Sequence, residues 1–245
     1  LASLGTSGVL WNGVLMKIIV PALLAPLIAG IIAYISTRVV YRVTVAVPEN
    51  RKKKNFRFGQ ISAASLMSLA HGTNDAQKTM GVIFLALVAA QEIDPSADIP
   101  FWVRLVCAVA IALGTYLGGW RIIKTLGKGI VDIEGPQGFS ADGSSAAIIL
   151  TSSHFGMALS TTHVAIGSII GSGVGRRVAV KWSTARRMVD AWTITLPAAG
   201  SVGALTWFVG NYINHFTGSD WMGEATVFLI LVGFCAWMWA HSRKS

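Results

Sequence analysis

Apolar residues dominate five stretches of the chain, at residues 11–34, 60–90, 101–120, 188–212 and 221–240. A helix crossing the roughly 30 Å hydrocarbon core takes about 20 residues at 1.5 Å each, and each stretch is of that order or longer. A sixth stretch, residues 139–175, is apolar-rich and weakly polar, with its midpoint at Ser153-His154-Phe155-Gly156. Its arms of about 16–18 residues reach about 25 Å, short of the core. A re-entrant helical hairpin with its tip near mid-membrane fits this stretch better than two full spans, though two short spans give the same sidedness and stay open. The pattern predicts an all-α polytopic membrane protein with about five transmembrane helices plus one re-entrant helical hairpin.

Charge placement orients these elements. All Lys and Arg except Lys17, Lys78 and Arg104 fall in residues 38–57, 121–128, 176–187 and 243–244. Acidic residues mark two other places, Glu92, Asp94 and Asp98, then Asp220 and Glu224. The basic clusters sit at the ends of apolar stretches and alternate with the acidic loops, as the positive-inside tendency requires. Residues 139–175 lie between two basic clusters, so they enter and leave by one face. The expected location is the cell (inner) membrane, multi-pass, with a cytoplasmic C-terminus. The basic stretch 51–57 is expected to be a solvated loop that could also touch anionic lipid. A net charge of +9 thus reports topology, and no nucleic-acid partner is expected.

Composition agrees: 53% of residues are hydrophobic and 13% charged, about half the charge of a soluble domain. Cys107 and Cys235 lie in apolar runs and read as small packing residues, with no structural metal spacing. The start at Leu1 in an apolar stretch, without Met or a basic leader, leads to the expectation of a piece of a longer protein.

Two polar constellations interrupt the apolar background. One is His71-Gly72-Thr73-Asn74-Asp75-Ala76-Gln77-Lys78-Thr79 within the second stretch. A carboxylate, amides and an ammonium there cost several kcal/mol unless paired or solvated. Gly72 permits an interrupted helix, and Asn74 and Asp75 suit a helix N-terminus, where amide groups would face an anion. Asp75 could instead simply pair with Lys78. The other constellation is Ser160-Thr161-Thr162-His163, whose hydroxyls can cap the second hairpin arm and donate to an anion. His71 and His163 read equally well as satisfied core histidines. Asp142, on the first arm, is a candidate ligand for a coupling cation or proton, or an interfacial acid near the hairpin base.

The run from His71 to Gly81 resembles the second-half signature of the PiT inorganic phosphate transporters, and Leu159-Ser160-Thr161-Thr162-His163-Val164 resembles that family's hairpin motif. Gly118-Gly119-Trp120-Arg121-Ile122-Ile123-Lys124-Thr125-Leu126-Gly127 is similar to its linker. The resemblance implies one half, the C-terminal one, of an inverted-repeat transporter working as a low-specificity symporter of inorganic phosphate with Na⁺ or H⁺. It implies phosphate binding by Thr73, Asn74, Ser160, Thr161 and Thr162, and coupling-ion binding by Asn74, Asp75, Gln77 and Asp142. It further implies residues 1–58 as a first span with a basic cytoplasmic loop, 59–212 as the transport repeat and 213–245 as a last span with a basic tail. No cofactor beyond the coupling cation is implied. Asn-Asp occurs once, so the N-terminal repeat is expected in a missing segment or a separate chain, and a homodimer is left open. Two rivals remain: an intramembrane serine hydrolase using Ser160 and His163, which lacks a Gly-x-Ser-x-Gly elbow, and a channel or structural membrane module.

Overall fold

The computed structural model describes residues 5–157, 159–219 and 221–242. Asp220, Arg243 and Lys244, and the side chain of Arg121, used above as orientation markers, lie outside what is described. Among the described residues every regular element is helical. A 3₁₀ turn, Thr6–Gly8, precedes α1 (Trp11–Val43), α2 (Glu49–Ala89), α3 (Phe101–Lys128), α4 (Gly135–His154), α5 (Thr161–Arg176), α6 (Trp182–Thr217) and α7 (Met222–Ser242). The helices α1 and α6 and the Phe101–Trp120 part of α3 are long and apolar enough to cross a membrane, and Met222–Met238 is a shorter apolar helix. With 41 residues α2 is long enough, but its basic start and polar middle leave it outside that set.

Two expectations fail in α2. The basic stretch 51–57 is not a loop but the first turns of the helix, which starts at Glu49 behind Pro48. Lys, Arg and Glu are good helix formers, and the acidic Glu49 in the first turn suits the helix dipole. The helix also runs through Gly72 without a break, and Gly72 is absent from the positive-φ positions. Thr73 bonds back to the carbonyls of Leu69 at 2.8 Å and Ala70 at 3.1 Å, as an intact turn allows.

The described chain divides into two compact units, Asn12–Ala185 and a second holding the N-terminal residues to Trp11 with Arg186 onward. This differs from boundaries at 58/59 and 212/213, because α1 packs on the hairpin and α2 runs unbroken across residue 58. In the first unit α1 and α5 run parallel in a fixed register. Gly167 lies against the Pro26 carbonyl, Gly171 against that of Gly30 and Gly175 against that of Tyr34. A Cβ at Gly167 or Gly171 would overlap these carbonyl oxygens, so glycine is required for backbone to meet backbone. The buried Ala25, Ala29, Ala33 and Thr37 extend the same small-residue face of α1.

Two prolines shape α1. Pro21 cannot donate an N–H and its ring crowds the carbonyl one turn earlier, and the π turn Leu15–Ile19 stands where that strain would fall. Pro26 leaves the Ala22 carbonyl without its helical donor, and Nδ1 of His163 takes the place at 3.4 Å. The register of 22 with 163 continues that of 26 with 167.

The hairpin arms α4 and α5 pack on each other, and α4 also packs along α2. At the base of α4, Phe56 meets Phe139 edge to face at 5.9 Å, and Gly138 accommodates the amide of Gln60. Glu134 there accepts the hydroxyl of Tyr41 at 3.1 Å and pairs with Arg176 at the end of α5. The base therefore gathers the C-terminal ends of α1 and α5 and the start of α4. A core of Ala25, Ala29, Ala70, Ala146, Ile149, Leu159 and Val164 lies beneath the hairpin turn.

The linker from α2 to α3 carries the acidic residues Glu92, Asp94 and Asp98. The Ser96 hydroxyl and backbone N–H both donate to Asp94, which holds its carboxyl below the usual range. In the second unit α6 and α7 form a hairpin braced by Asn214, which donates to Glu224 at 3.1 Å and accepts the Gly223 N–H at 2.6 Å.

Candidate functional site

In an unbroken helix His71, Asn74, Asp75 and Lys78 fall at i, i+3, i+4 and i+7, on a single face. That face of α2 meets the hairpin turn. The turn begins where α4 ends: Gly156, at φ +66°, donates to the Ser153 carbonyl, and Met157 donates to that of Ser152. These two bonds are a Schellman stop, which glycine at positive φ makes without strain. The chain then passes to Ser160, the N-cap of α5, whose hydroxyl accepts the His163 N–H at 3.4 Å. Between the two helices the Leu159 carbonyl has no helical donor, and it points at α2.

Five side chains converge there. Asn74 Nδ2 donates to the Leu159 carbonyl at 3.0 Å, and Lys78 Nζ donates to it at 2.8 Å. Lys78 Nζ also reaches Asp75 Oδ1 at 3.0 Å. The Thr161 hydroxyl donates to Asp75 Oδ2 at 3.2 Å, and His71 Nδ1 lies 2.9 Å from Thr161 Oγ1 and 3.2 Å from Asp75 Oδ2. A hydroxyl that donates to the carboxylate has only lone pairs left for the imidazole. Both neighbours of Nδ1 are then acceptors, so the arrangement assigns the proton to Nδ1. Asn74 and Thr161 are buried, whereas the side chains of His71, Asp75 and Lys78 retain 42%, 31% and 43% of their exposure. The cluster is therefore a half-open face.

Its charges nearly cancel, with one ammonium on one carboxylate. What it offers an anion lies next to it at the start of α5. The first N–H groups of a helix have no acceptor within it, and the dipole there is positive. Ser160 accepts through its oxygen, so its own proton stays free to donate.

Of the residues expected at the site, Asn74, Asp75 and Thr161 come together, and Ser160 caps the adjoining helix. Thr73 and Gln77 are exposed and lie off the cluster's face, and Thr162 is exposed beside Thr161. Asp142 is half-buried on α4, 12 residues before His154, or about 18 Å down the arm from the turn. Among the described residues it has no hydrogen-bond or ion-pair partner, and it is not part of the cluster. The pairing of Asp75 with Lys78 is present, together with further bonds from both. The hydrolase arrangement is not: Ser160 is bonded by the His163 backbone N–H, while the imidazole is turned to α1. Sequence reasoning missed the Leu159 carbonyl, whose only signal is the Gly156 stop followed by a Ser N-cap.

Residues 1–203 match the model of the phosphate transporter family, and the chain belongs to that family. It is 53% identical over its whole length to a probable low-affinity inorganic phosphate transporter of Mycobacterium tuberculosis (strain ATCC 25618 / H37Rv), covering 58% of that protein. A protein of the same description from Bacillus subtilis (strain 168) is 42% identical over 87% of this chain and 64% of its own. Sodium-dependent phosphate transporter 1 of Mus musculus is 37% identical over 64% of this chain and 24% of its own. The chain thus spans less than two thirds of the length of these relatives. A solved structure titled the sodium-dependent phosphate transporter superposes with a TM-score of 0.72 at 22% identity, over 86% of this chain and 70% of that one, and shares its fold. The matched family and relatives are transporters, not enzymes.

Proposed function

We propose that the chain is part of a secondary transporter that moves inorganic phosphate together with a cation, Na⁺ or H⁺, across the cell membrane by alternating access. The observation that carries this reading is the meeting of the Asn74-Asp75 segment with the Ser160-Thr161 turn, which puts a carboxylate beside a helix start rich in donors. Phosphate brings up to two negative charges into a poorly solvated place, so it needs donors and a compensating cation together. In this reading Ser160, Thr161, Thr162 and the first N–H groups of α5 hold phosphate, with Asn74 fixing the turn. An ionised Asp75 repels the anion and holds the coupling cation beside it. Thr73, Gln77 and Asp142 would join only if the surroundings of the cluster change.

The hairpin is read as re-entrant. Its turn lies opposite residues 74–78 of α2, while α2 continues to Ala89, about 20 Å further. An arm that stops so far short of its neighbour's end fits a tip at mid-depth, where irregular backbone needs protein or water around it. The half-open cluster is read as completed by the rest of the transporter, an inverted N-terminal repeat, and the basic ends, the C-terminus among them, as cytoplasmic.

The test is uptake of labelled phosphate by the full-length protein in proteoliposomes, with Na⁺ replaced by choline at two pH values. Saturable uptake that follows one cation gradient is expected. Asp75→Asn is expected to lower cation-driven uptake at least about 100-fold, and undiminished uptake in that variant would sink the assignment.

A further inference from the structure

Lys78 is the surprising member of the cluster. A lysine in an apolar span usually escapes by extending its stem to the nearest interface. Here that route is closed, because about 16 Å of helix separates Lys78 from the end of α2 at Ala89, whereas the side chain reaches only about 6 Å. The ammonium turns inward instead and binds one carboxylate oxygen, Asp75 Oδ1, and one backbone carbonyl, that of Leu159.

Those two oxygens are the ligands a hard monovalent or divalent cation would choose, a carboxylate for charge and a carbonyl freed from its helix. The carbonyl is also fully used. A carbonyl oxygen has two lone pairs, and that of Leu159 already accepts from Asn74 Nδ2 and Lys78 Nζ. The other carboxylate oxygen, Oδ2, is engaged by Thr161 and flanked by His71. No second cation can use this pair of oxygens while the ammonium is there.

We propose that Lys78 is a tethered cation: its ammonium fills the seat between Asp75 and the Leu159 carbonyl that a mobile coupling ion would otherwise occupy. This rests on the reading of the cluster as the cation and phosphate site. The consequence is a stoichiometry. A charge fixed to the protein compensates Asp75 in every state of the transport cycle, so each phosphate requires one mobile cation fewer than a seat with a neutral residue at position 78. Coupling must then come from a cation bound elsewhere at the site, drawn in by the phosphate itself.

The proposal is tested by counting ions bound by the purified full-length protein. Equilibrium binding of ²²Na⁺ is measured for wild type, Lys78→Gln, Lys78→Ser and Lys78→Arg, each shown to be folded by monodisperse elution. The neutral variants free Asp75 Oδ1 and one lone pair of the Leu159 carbonyl, and either variant is expected to bind one more Na⁺ per chain than wild type. Lys78→Arg keeps the charge and is expected to match wild type. A folded Lys78→Gln or Lys78→Ser that binds no additional Na⁺ overturns the proposal, as does additional Na⁺ on Lys78→Arg. A lysine that is only a structural strut predicts lower thermal stability in the neutral variants with no change in the count. Phosphate uptake by wild type in proteoliposomes is read alongside. An unchanged count in a protein that transports phosphate removes the tethered cation alone, whereas absence of saturable uptake by wild type removes the functional reading.

Discussion

Two seams hold the hairpin, and they are built by opposite means. Along α1 and α5 most facing side chains are small or missing: glycine faces a main-chain carbonyl at three positions four residues apart. Where α2 meets the hairpin turn, above the apolar core that holds Ala70, the contact is made by polar side chains, with His71, Asn74, Asp75 and Lys78 against Thr161 and one carbonyl. From Gly167 to Gly171 the first seam has few rotamers to change, since glycine there lies against backbone. The second consists of bonds that can be exchanged singly for bonds to a ligand. A hairpin fixed on one side and exchangeably bonded on the other can respond to an ion at its tip without loosening its foundation.

The contrast predicts unequal sensitivities. Gly171→Leu drives a side chain into the Gly30 backbone and is expected to destabilise the protein by at least about 3 kcal/mol, read as loss of the folded peak and of phosphate uptake in the full-length transporter. An equivalent change in the polar seam should be milder. Thr161→Val removes a hydroxyl bonded to a carboxylate, at about 1.5 kcal/mol, and should raise the half-saturating phosphate or cation concentration about tenfold while the protein still folds. Smallest is Gly72→Ala. A Cβ there meets nothing within 4 Å, so an unbroken α2 should gain roughly 0.5–1 kcal/mol in thermal unfolding. If Gly72→Ala instead blocks uptake while stabilising the fold, the helix opens at that glycine during transport.

The sequence made the helices legible because their signal is local, in apolar runs closed by charge. It also exposed both halves of the site, since His71 to Lys78 and Ser160 to His163 are costly residues in an apolar setting. It did not reveal how the halves meet. Gly72 beside Asn74-Asp75 read as a helix break, yet the helix persists because the side chains of the run find partners outside it, at Leu159 and Thr161. Keeping the helix intact then sorts the run by angle, bringing His71 and Lys78 in and leaving Thr73 and Gln77 out. Asp142 stands out by its charge, whereas its distance from the turn, about 18 Å down the arm, is fixed by helix rise and not by residue type. The Leu159 carbonyl is invisible to any reading of side chains. The same holds for Ala22, whose carbonyl is released by Pro26 four residues later and taken up by His163.

The glycine spacing of α5 has a mechanical consequence. Gly167, Gly171 and Gly175 repeat every fourth residue, and their seats at Pro26, Gly30 and Tyr34 repeat at the same interval. A small displacement of one helix along the other brings a side chain onto a carbonyl, and only a shift of a whole repeat, about 6 Å, sets small residue against small residue again. The seam therefore behaves as a rack with detents. It resists creep, and any travel along it comes in clicks of one helical turn.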